Sequence, residues 1–187
     1  MQKLIILEGP DGCGKTRFAN ALTHGSDAWV YIHLGISDDI LRSHFEALDA
    51  IREALNRGSN VVCDRFWISE EVYGTLFRNG TYGSLFARGF HDSVLELKGS
   101  YVFCLDDPTV YASRIRELST QRAEAFSPTQ LLSVLEVYRD LWFGEPLSET
   151  YGFISTISHS GGFCRVPRAR LLMHSDHPAA LTKEFNA

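Results

Sequence analysis

The residues with the clearest chemical signature lie near the amino terminus, where an apolar run ends in glycine. Gly9 is followed by four residues and then by Gly14, Lys15 and Thr16, which is the spacing of a phosphate-binding loop, G-x-x-x-x-G-K-[ST]. Glycines let successive main-chain N–H groups turn toward one anion, and the positive end of the following helix faces the same anion. The lysine of such a loop reaches the outer phosphates, and the next hydroxyl binds magnesium. This pattern predicts a site for ATP with Mg²⁺.

The predicted nucleotide-binding loop runs into the start of a helix. Its residues are Gly9, Pro10, Asp11, Gly12, Cys13, Gly14, Lys15, Thr16 and Arg17. The alternative interpretation is an ordinary strand-to-helix turn that carries Lys and Thr by chance. Against that alternative, an apolar strand pattern precedes the loop and a helical pattern follows it, which is the context that a phosphate-binding loop needs.

A second group of polar residues follows another apolar run. Residues 61–63 lead into Asp64 and Arg65, and Ser69 and Tyr73 come four and eight residues after Arg65. In open α/β sheets, ligands bind at the carboxyl ends of the strands. We therefore expect Asp64 near the magnesium ion and Arg65 near the anion of a second substrate. A helix cap or a local ion pair between the two is the alternative.

The elements that must position these groups alternate along the chain between apolar runs and helical patterns. Strands are predicted at residues 3–7, 29–34, 60–63, 100–105 and 170–174, and helices at residues 15–23, 39–57, 69–76, 108–117 and 128–142. This alternation predicts an α/β fold, a three-layer doubly wound parallel sheet. Residues 79–99 and 151–167 fit no regular pattern, and a short helix is expected at residues 178–185.

Composition limits the classes of protein that fit the chain. Its 187 residues, 44% of them hydrophobic, fit a single domain spanning residues 1–187. The formal charge of −5 counts against nucleic acid as the main partner, whereas fourteen arginines against four lysines suit a protein that handles phosphate. Four cysteines without a C-x-x-C pair indicate reduced thiols and no zinc site. With no apolar span or signal peptide, we expect a cytoplasmic protein, in the host cytoplasm if the chain is viral.

Together the two motifs resemble the thymidylate kinase family of P-loop nucleoside monophosphate kinases. Residues 8–16 match the family loop Glu-Gly-x-Asp-Gly-x-Gly-Lys-[ST], and residues 64–74 match much of Asp-Arg-Tyr/His-x-x-Ser-x-x-Ala-Tyr-Gln. Residues 105–108 and 114–116 are similar to the fourth strand and the lid that follows it. The resemblance implies a P-loop kinase fold with a helical lid at about residues 114–130. It also implies transfer of a phosphoryl group from ATP to a deoxypyrimidine nucleotide, most simply thymidylate.

The resemblance implies a role for each matched residue. Asp11 would contact the acceptor, Arg65 would hold its phosphate, and Asp64 would orient the magnesium ion. Because the loop carries Cys13 and no arginine, the family pattern implies catalytic arginines from the lid; a solvated helix face is the alternative for each. The predicted catalytic residues are Lys15, Asp11, Arg65, Arg114, Arg116 and Arg122; the predicted substrate-binding residues are Arg65, Phe66, Ser69, Tyr73, Arg78 and Arg42; the predicted metal ligands are Thr16 and Asp64.

Three departures from the family pattern bear on the acceptor. The second-strand motif Arg-Glu-Pro-Gly-Gly is missing, and residues 32–37 read Ile-His-Leu-Gly-Ile-Ser instead. The family's Phe–Arg pair that reads thymine has no clear counterpart, and Arg42 and Phe45 are the nearest substitutes. Gly74 replaces the glutamine of the second motif.

These departures keep a second interpretation open. It is a phage DNA kinase that phosphorylates the hydroxymethyl group of 5-hydroxymethyluracil in DNA. The loop at residues 161–170 carries three arginines and is the candidate clamp for a phosphate or a polynucleotide backbone, with a solvated surface loop as the alternative. A non-catalytic nucleotide-binding switch is a third interpretation, and a homodimer is left open.

Overall fold

Five parallel strands form the centre of the computed structural model, which describes residues 2–24, 26–35, 37–78, 80–121 and 126–173. The strands are β1 (Leu4–Glu8), β2 (Trp29–His33), β3 (Asn60–Asp64), β4 (Ser100–Leu105) and β5 (Ala169–Met173), in the spatial order β2-β3-β1-β4-β5. All five residues of β1 are buried. Because alternate side chains of a strand point to opposite faces, this burial shows that both faces of the sheet are covered.

Seven α-helices surround the sheet in the described part of the chain. They are α1 (Lys15–Thr23), α2 (Ile40–Asn56), α3 (Trp67–Phe77), α4 (Ser84–Glu96), α5 (Pro108–Gln121), α6 (Pro128–Phe143) and α7 (Gly152–His159), with short 3₁₀ turns at Glu149–Tyr151 and Phe163–Arg165. Helices α1 and α2 pack against β2 and β3, whereas α6 packs against β4. The predicted α/β class and parallel sheet are confirmed.

Two helices lie where the sequence shows no regular pattern. Helix α4 buries Ala87, Phe90, His91 and Val94, which recur at helical spacing. Its signal is hidden because glycines flank and interrupt it. Helix α7 is only eight residues long and buries most of its side chains, so it lacks the polar face that identifies a surface helix.

Other differences are shifts of the element ends. Helix α3 begins at Trp67, two residues before the predicted start, and β5 occupies Ala169–Met173 in place of residues 170–174. The helix expected at residues 178–185 lies outside the described residues. Within the described ranges, no helix has both the length and the apolar character that spanning a membrane requires.

Candidate active site

The loop after β1 has backbone conformations that only glycine adopts readily. Gly9, Gly12 and Gly14 have φ angles of +138°, +79° and +86°. At Gly9 there is a second constraint, because a Cβ atom there would collide with the carbonyl oxygen of Cys104 in β4. Gly14 is the N-cap of α1, so the loop delivers the chain directly into the helix whose amino end faces the loop.

Lys15 lies inside this loop and is only 6% exposed. Its Nζ donates to the carbonyl oxygens of Gly9 and Pro10, at 2.8 Å each. An ammonium group has three donors, so one N–H remains for a phosphate oxygen. Cys13 is buried in the same loop, and burial raises the pKa of its thiol to about 12, so this thiol stays protonated.

A group of hydroxyls and one carboxylate forms beside the loop, at the carboxyl ends of β2 and β3. The Thr16 hydroxyl and the Tyr31 hydroxyl each donate to Oδ2 of Asp64 at 3.1 Å, and Nδ1 of His33 lies 3.8 Å from the same oxygen. Asp64 is 1% exposed, and its Oδ1 has no hydrogen-bond partner among the residues that the structure describes.

This oxygen-rich set fits a magnesium ion. A buried carboxylate oxygen without a partner and a neighbouring hydroxyl are the ligand types that Mg²⁺ prefers. No group of three or more His, Cys, Asp or Glu side chains suited to a metal occurs within the described ranges. The remaining ligands of such an ion would come from phosphates and water, as is usual for Mg²⁺.

Tyr31 and His33 are members of this group that the sequence analysis missed. They come from β2, the strand at which the family motif is absent. Burial and the Asp64 carboxylate raise the pKa of Tyr31 to about 12, so its hydroxyl remains a donor to that carboxylate. Their signal in the sequence is the alternation Tyr-Ile-His at the end of a strand, which places both side chains on one face.

On the other side of the loop, Asp11 and Arg65 form an ion pair. The guanidinium of Arg65 lies over the ring of Tyr73, with Cζ 5.1 Å from the ring centre, and the Tyr73 hydroxyl donates to Asp11 Oδ2 at 3.3 Å. Tyr111 donates to the main-chain oxygen of Asp11 at 2.6 Å. Arg65 has a φ angle of +72°, and such a conformation at a non-glycine residue is common at functional sites.

A buried glutamate connects the loop strand to this second group. Glu8 accepts hydrogen bonds from the main-chain N of Phe66 at 2.9 Å, from Ser69 Oγ at 2.6 Å and from the Tyr138 hydroxyl at 3.0 Å. Burial raises the pKa of Glu8, although these donors offset part of the rise. The hydroxyl of Ser69, a predicted substrate ligand, thus donates its hydrogen bond to Glu8.

A pocket opens next to Arg65. Five of the six predicted substrate-binding residues line it, namely Arg65, Phe66, Ser69, Tyr73 and Arg78. Its other lining residues, which the sequence analysis missed, are Leu34, Gly35, His44, Glu70 and Phe126. A mixed apolar and polar lining of this kind is typical of small-molecule sites.

Arg42 is the exception among the predicted substrate ligands, and the structure does not bring it to the pocket. Asp39 caps α2 by accepting from the Arg42 main-chain N at 3.1 Å. The Arg42 side chain then runs along the helix surface to Glu46, at 2.8 Å, and is 74% exposed. Local pairing one helical turn apart thus directs this arginine to solvent.

The three lid arginines differ in where they lie. Arg114 packs inward, pairs with Asp106 at the end of β4 and places Cζ 5.5 Å from the ring centre of Tyr111. Arg116 is exposed on the same helix. Arg122 lies outside the described residues.

Gly74, the departure from the family glutamine, has a packing reason. A Cβ atom at this position would lie 2.7 Å from the carbonyl oxygen of Gly80 and 2.8 Å from Oε1 of Glu70. The turn after α3 is therefore packed so tightly against the helix that a side chain does not fit.

The arginine-rich loop at residues 161–170 lies far from the phosphate-binding loop. It leads into β5, and Arg168 donates to the carbonyl oxygen of Lys98, just before β4. Since the strands are parallel, these residues lie at the amino-terminal edge of the sheet, whereas the phosphate-binding loop leaves the carboxyl edge. The candidate clamp therefore does not reach the pocket.

Comparison with curated proteins gives two viral or prophage relatives, and no family model matches the chain. The chain is 32% identical over 140 residues to the SPbeta prophage-derived uncharacterized protein YorR of Bacillus subtilis, covering 74% of this chain and 81% of YorR. It is 30% identical over 99 residues to a candidate thymidylate kinase of the Acidianus bottle-shaped virus, covering 52% of this chain and 64% of that protein.

Two solved structures have a similar fold. One is YorR from Bacillus subtilis in complex with phosphorylated GDP, with a TM-score of 0.64, 23% identity and coverage of 98% of this chain and 94% of YorR. The other is thymidylate kinase from Candida albicans, with a TM-score of 0.57, 15% identity and coverage of 98% and 89%.

Proposed function

We propose that this chain is a kinase. The premise is that the chain belongs to the family of the prophage protein YorR, a divergent family with the thymidylate kinase fold. In this proposal, the chain transfers the γ-phosphate of ATP to the phosphate of a nucleoside monophosphate. The observation that carries the proposal is that Asp11 of the phosphate-binding loop pairs with Arg65 at the adjoining pocket. Lys15 within the loop and Arg65, which pairs with a residue of that loop, are two cations that could each bind a phosphate.

The residues divide the work of positioning two anions. Main-chain N–H groups of the loop and the third N–H of Lys15 bind the donor's phosphates, while Arg65 exchanges its Asp11 partner for the acceptor's phosphate. Thr16 and Asp64 would hold the magnesium ion, which when bound would neutralise charge on the donor's phosphates. Phosphoryl transfer depends chiefly on such positioning and charge neutralisation.

Among the lid residues that the structure describes, Arg114 is the arginine that we propose to be catalytic. Its Nε and Nη2 are buried without a hydrogen-bond partner in the part of the chain that the structure describes. The ion pair with Asp106 keeps the guanidinium at the end of β4, next to the loop strand β1. A cation at this position, beside the strand that leads into the loop, would stabilise charge on the transferred phosphoryl group.

The acceptor's base is the finer part of the proposal. The family resemblance predicts a deoxypyrimidine nucleotide, most simply thymidylate, and the thymidylate kinase fold supports that prediction. YorR, by contrast, was solved with phosphorylated GDP, which adds guanine nucleotides to the acceptors worth testing. Phosphorylation of hydroxymethyluracil in DNA loses one support, since the arginine-rich loop lies at the opposite edge of the sheet.

The test is a transfer assay with γ-labelled ATP, with and without Mg²⁺. The acceptors are a panel of nucleoside monophosphates and DNA with and without 5-hydroxymethyluracil. We expect a labelled nucleoside diphosphate, formed only when Mg²⁺ is present. Label in DNA alone would establish the DNA kinase instead, and ATP binding without any labelled product would establish a nucleotide-binding switch.

Lys15→Met is expected to lower the turnover number by at least about 10²-fold, because it removes a cation from the transferring phosphates. The matched control is Lys98→Met, which removes a lysine at the opposite edge of the sheet and should retain activity. Equal activity of the two variants would contradict the proposed role of the loop.

A further inference from the structure

One end of the pocket carries three polar side chains that have no part in holding either phosphate. They are His44 from α2, Glu70 from α3 and Arg78 from the end of α3. Phe66 lies between them and the loop, since its main-chain N binds Glu8 while its ring packs 5.5 Å from the ring of His44. These three groups therefore face the part of a bound nucleotide that lies away from Arg65, which is the base.

His44 presents a hydrogen-bond acceptor at this end. Its Nδ1 lies 2.8 Å from the carbonyl oxygen of Ile40, and a carbonyl only accepts, so Nδ1 carries the proton. Burial lowers the pKa of His44, which keeps the ring neutral. Its Nε2 is then a lone-pair acceptor, and this atom is buried with no hydrogen-bond partner in the described ranges.

Glu70 and Arg78 present further acceptors and a donor. They form an ion pair through Oε2 of Glu70 and Nη2 of Arg78. The Glu70 side chain is 6% exposed and the Arg78 side chain is 35% exposed. Because a guanidinium has five N–H donors in a planar fork, Arg78 retains donors for a ligand after it binds Glu70.

This end of the pocket thus offers two hydrogen-bond acceptor groups, Glu70 and His44, and one hydrogen-bond donor group, Arg78. The hydroxyl of Ser69 adds no donor, because it donates to Glu8. The complementary base edge carries two N–H donors and one acceptor. Guanine matches it with N1–H, N2–H and O6, whereas thymine offers the reverse, one N–H between two carbonyl oxygens.

We propose that the acceptor is a guanine nucleotide, with Glu70 and His44 accepting from N1–H and N2–H and with Arg78 donating to O6. This inference rests on the proposed function and specifies its substrate. It replaces the pyrimidine expected from family resemblance, because the groups at this end differ from those that suit thymine. The aromatic rings of Phe66, Tyr73 and Phe126 line the same pocket and offer surfaces for a purine.

The test measures equilibrium binding of nucleoside monophosphates by calorimetry in the absence of ATP, so that it does not depend on turnover. We expect guanylate to bind more tightly than thymidylate by at least about 10-fold, since thymidylate leaves a buried acceptor unpaired. Inosinate lacks only N2–H, so it should also bind about 10-fold or more weakly than guanylate. Equal or tighter binding of thymidylate overturns the inference.

The variant Glu70→Gln separates base reading from a structural role. It keeps the size of the side chain but replaces one acceptor oxygen with a donor. A base-reading role predicts that the ratio of guanylate to thymidylate affinity falls to near 1, because the amide accepts less well from guanine N1–H and can donate to a thymine carbonyl. A merely structural role predicts that both affinities fall together and the ratio stays, which overturns the assignment.

The two proposals fail in different ways. If guanylate binds best but no labelled diphosphate forms with any acceptor, the kinase proposal fails and the base assignment stands. If label is transferred to thymidylate in preference to guanylate, the kinase proposal stands and the base assignment fails. Since wild-type protein alone gives the guanylate, inosinate and thymidylate comparison, an unfolded variant does not prevent the test.

Discussion

At the scale of single residues, Glu71 is a buried carboxylate whose environment offers it few hydrogen-bond donors. It is fully buried, and neither side-chain oxygen has a hydrogen-bond partner among the residues described. A Cβ atom on Gly152 would lie 2.6 Å from its Oε2, so the start of α7 packs directly on this group. Burial raises the pKa of Glu71 from 4.5 to about 7, and nearby Thr81 offsets only part of that rise.

A raised pKa makes the stability of the folded chain depend on pH. The native state holds a proton on Glu71 that the unfolded chain releases above pH 4.5 or so, so the contribution is complete below that pH and is lost as the pH rises to about 7. We expect up to roughly 3 kcal/mol of unfolding free energy to be lost over this window. Glu71→Gln should remove that loss, because its amide does not titrate.

The measurement is urea denaturation of both proteins at pH 5 and pH 8. The quantity to compare is the change in unfolding free energy between the two pH values, because other groups titrate equally in both proteins. An identical change in wild type and Glu71→Gln would show that Glu71 is ionised throughout.

At the scale of elements, α6 has a start that the sequence encodes completely. Ser127 accepts from the main-chain N of Gln130 at 3.3 Å, the Gln130 side chain accepts from the Ser127 N at 2.8 Å, and Pro128 follows the cap. This reciprocal pair satisfies two donors at the helix start. It fixes the helix start right after Phe126, a lining residue of the pocket.

Ser127→Ala is expected to cost about 1 kcal/mol of unfolding free energy, because the cap donors lose their acceptor. Thermal unfolding should show this as a melting temperature lower by about 2–4 °C. Ser133→Ala on the same helix is the matched control, since its hydroxyl lies within the helix and donates to the Thr129 carbonyl, at 3.4 Å, rather than capping the helix start. If Ser133→Ala costs as much as Ser127→Ala, the capping explanation is wrong.

At the scale of the whole molecule, one hydrogen bond joins residues 130 positions apart. The Tyr138 hydroxyl of α6 donates to Glu8 at the end of β1, and Ser69 of α3 donates to the same carboxylate. All three are buried. The phosphate-binding strand, the pocket helix and α6 are thereby tied together at one buried carboxylate.

Tyr138→Phe should cost about 2 kcal/mol of unfolding free energy, since it leaves a buried carboxylate one donor short. Urea denaturation measures the loss, and Tyr151→Phe, at a half-buried tyrosine outside this network, is the control. We expect the Tyr138 variant also to bind the acceptor more weakly, through Ser69 and Phe66. A loss no larger than that of the control would mean that Tyr138 does not support Glu8.

Much of the site can be predicted because the signals are local. The phosphate-binding loop needs glycine at positions with positive φ, and eight consecutive residues, 9–16, specify the turn from strand to helix. Asp64 and Arg65 follow a strand, and parallel strands bring their carboxyl ends together, so their proximity to the loop follows from the fold class. The departures were harder to interpret, since Gly74 reflects a tight packing contact with Gly80 that no sequence pattern reveals.

The sequence by itself determined the class of fold, the five strands, five of the seven described helices and the phosphate-binding loop, since these depend on contiguous residues and their periodicity. The sequence does not distinguish Arg42, Arg78 and Arg114 from one another. Only the tertiary structure decided which of these arginines lines the pocket. In the structure, Arg42 pairs with Glu46 along its own helix, Arg78 pairs with Glu70 in the pocket, and Arg114 pairs with Asp106 beside the loop. A long cationic side chain pairs with the carboxylate that the packing of the chain brings within reach. In the pocket, the pairing of Arg78 with Glu70 therefore sets which base edge we propose the pocket to bind.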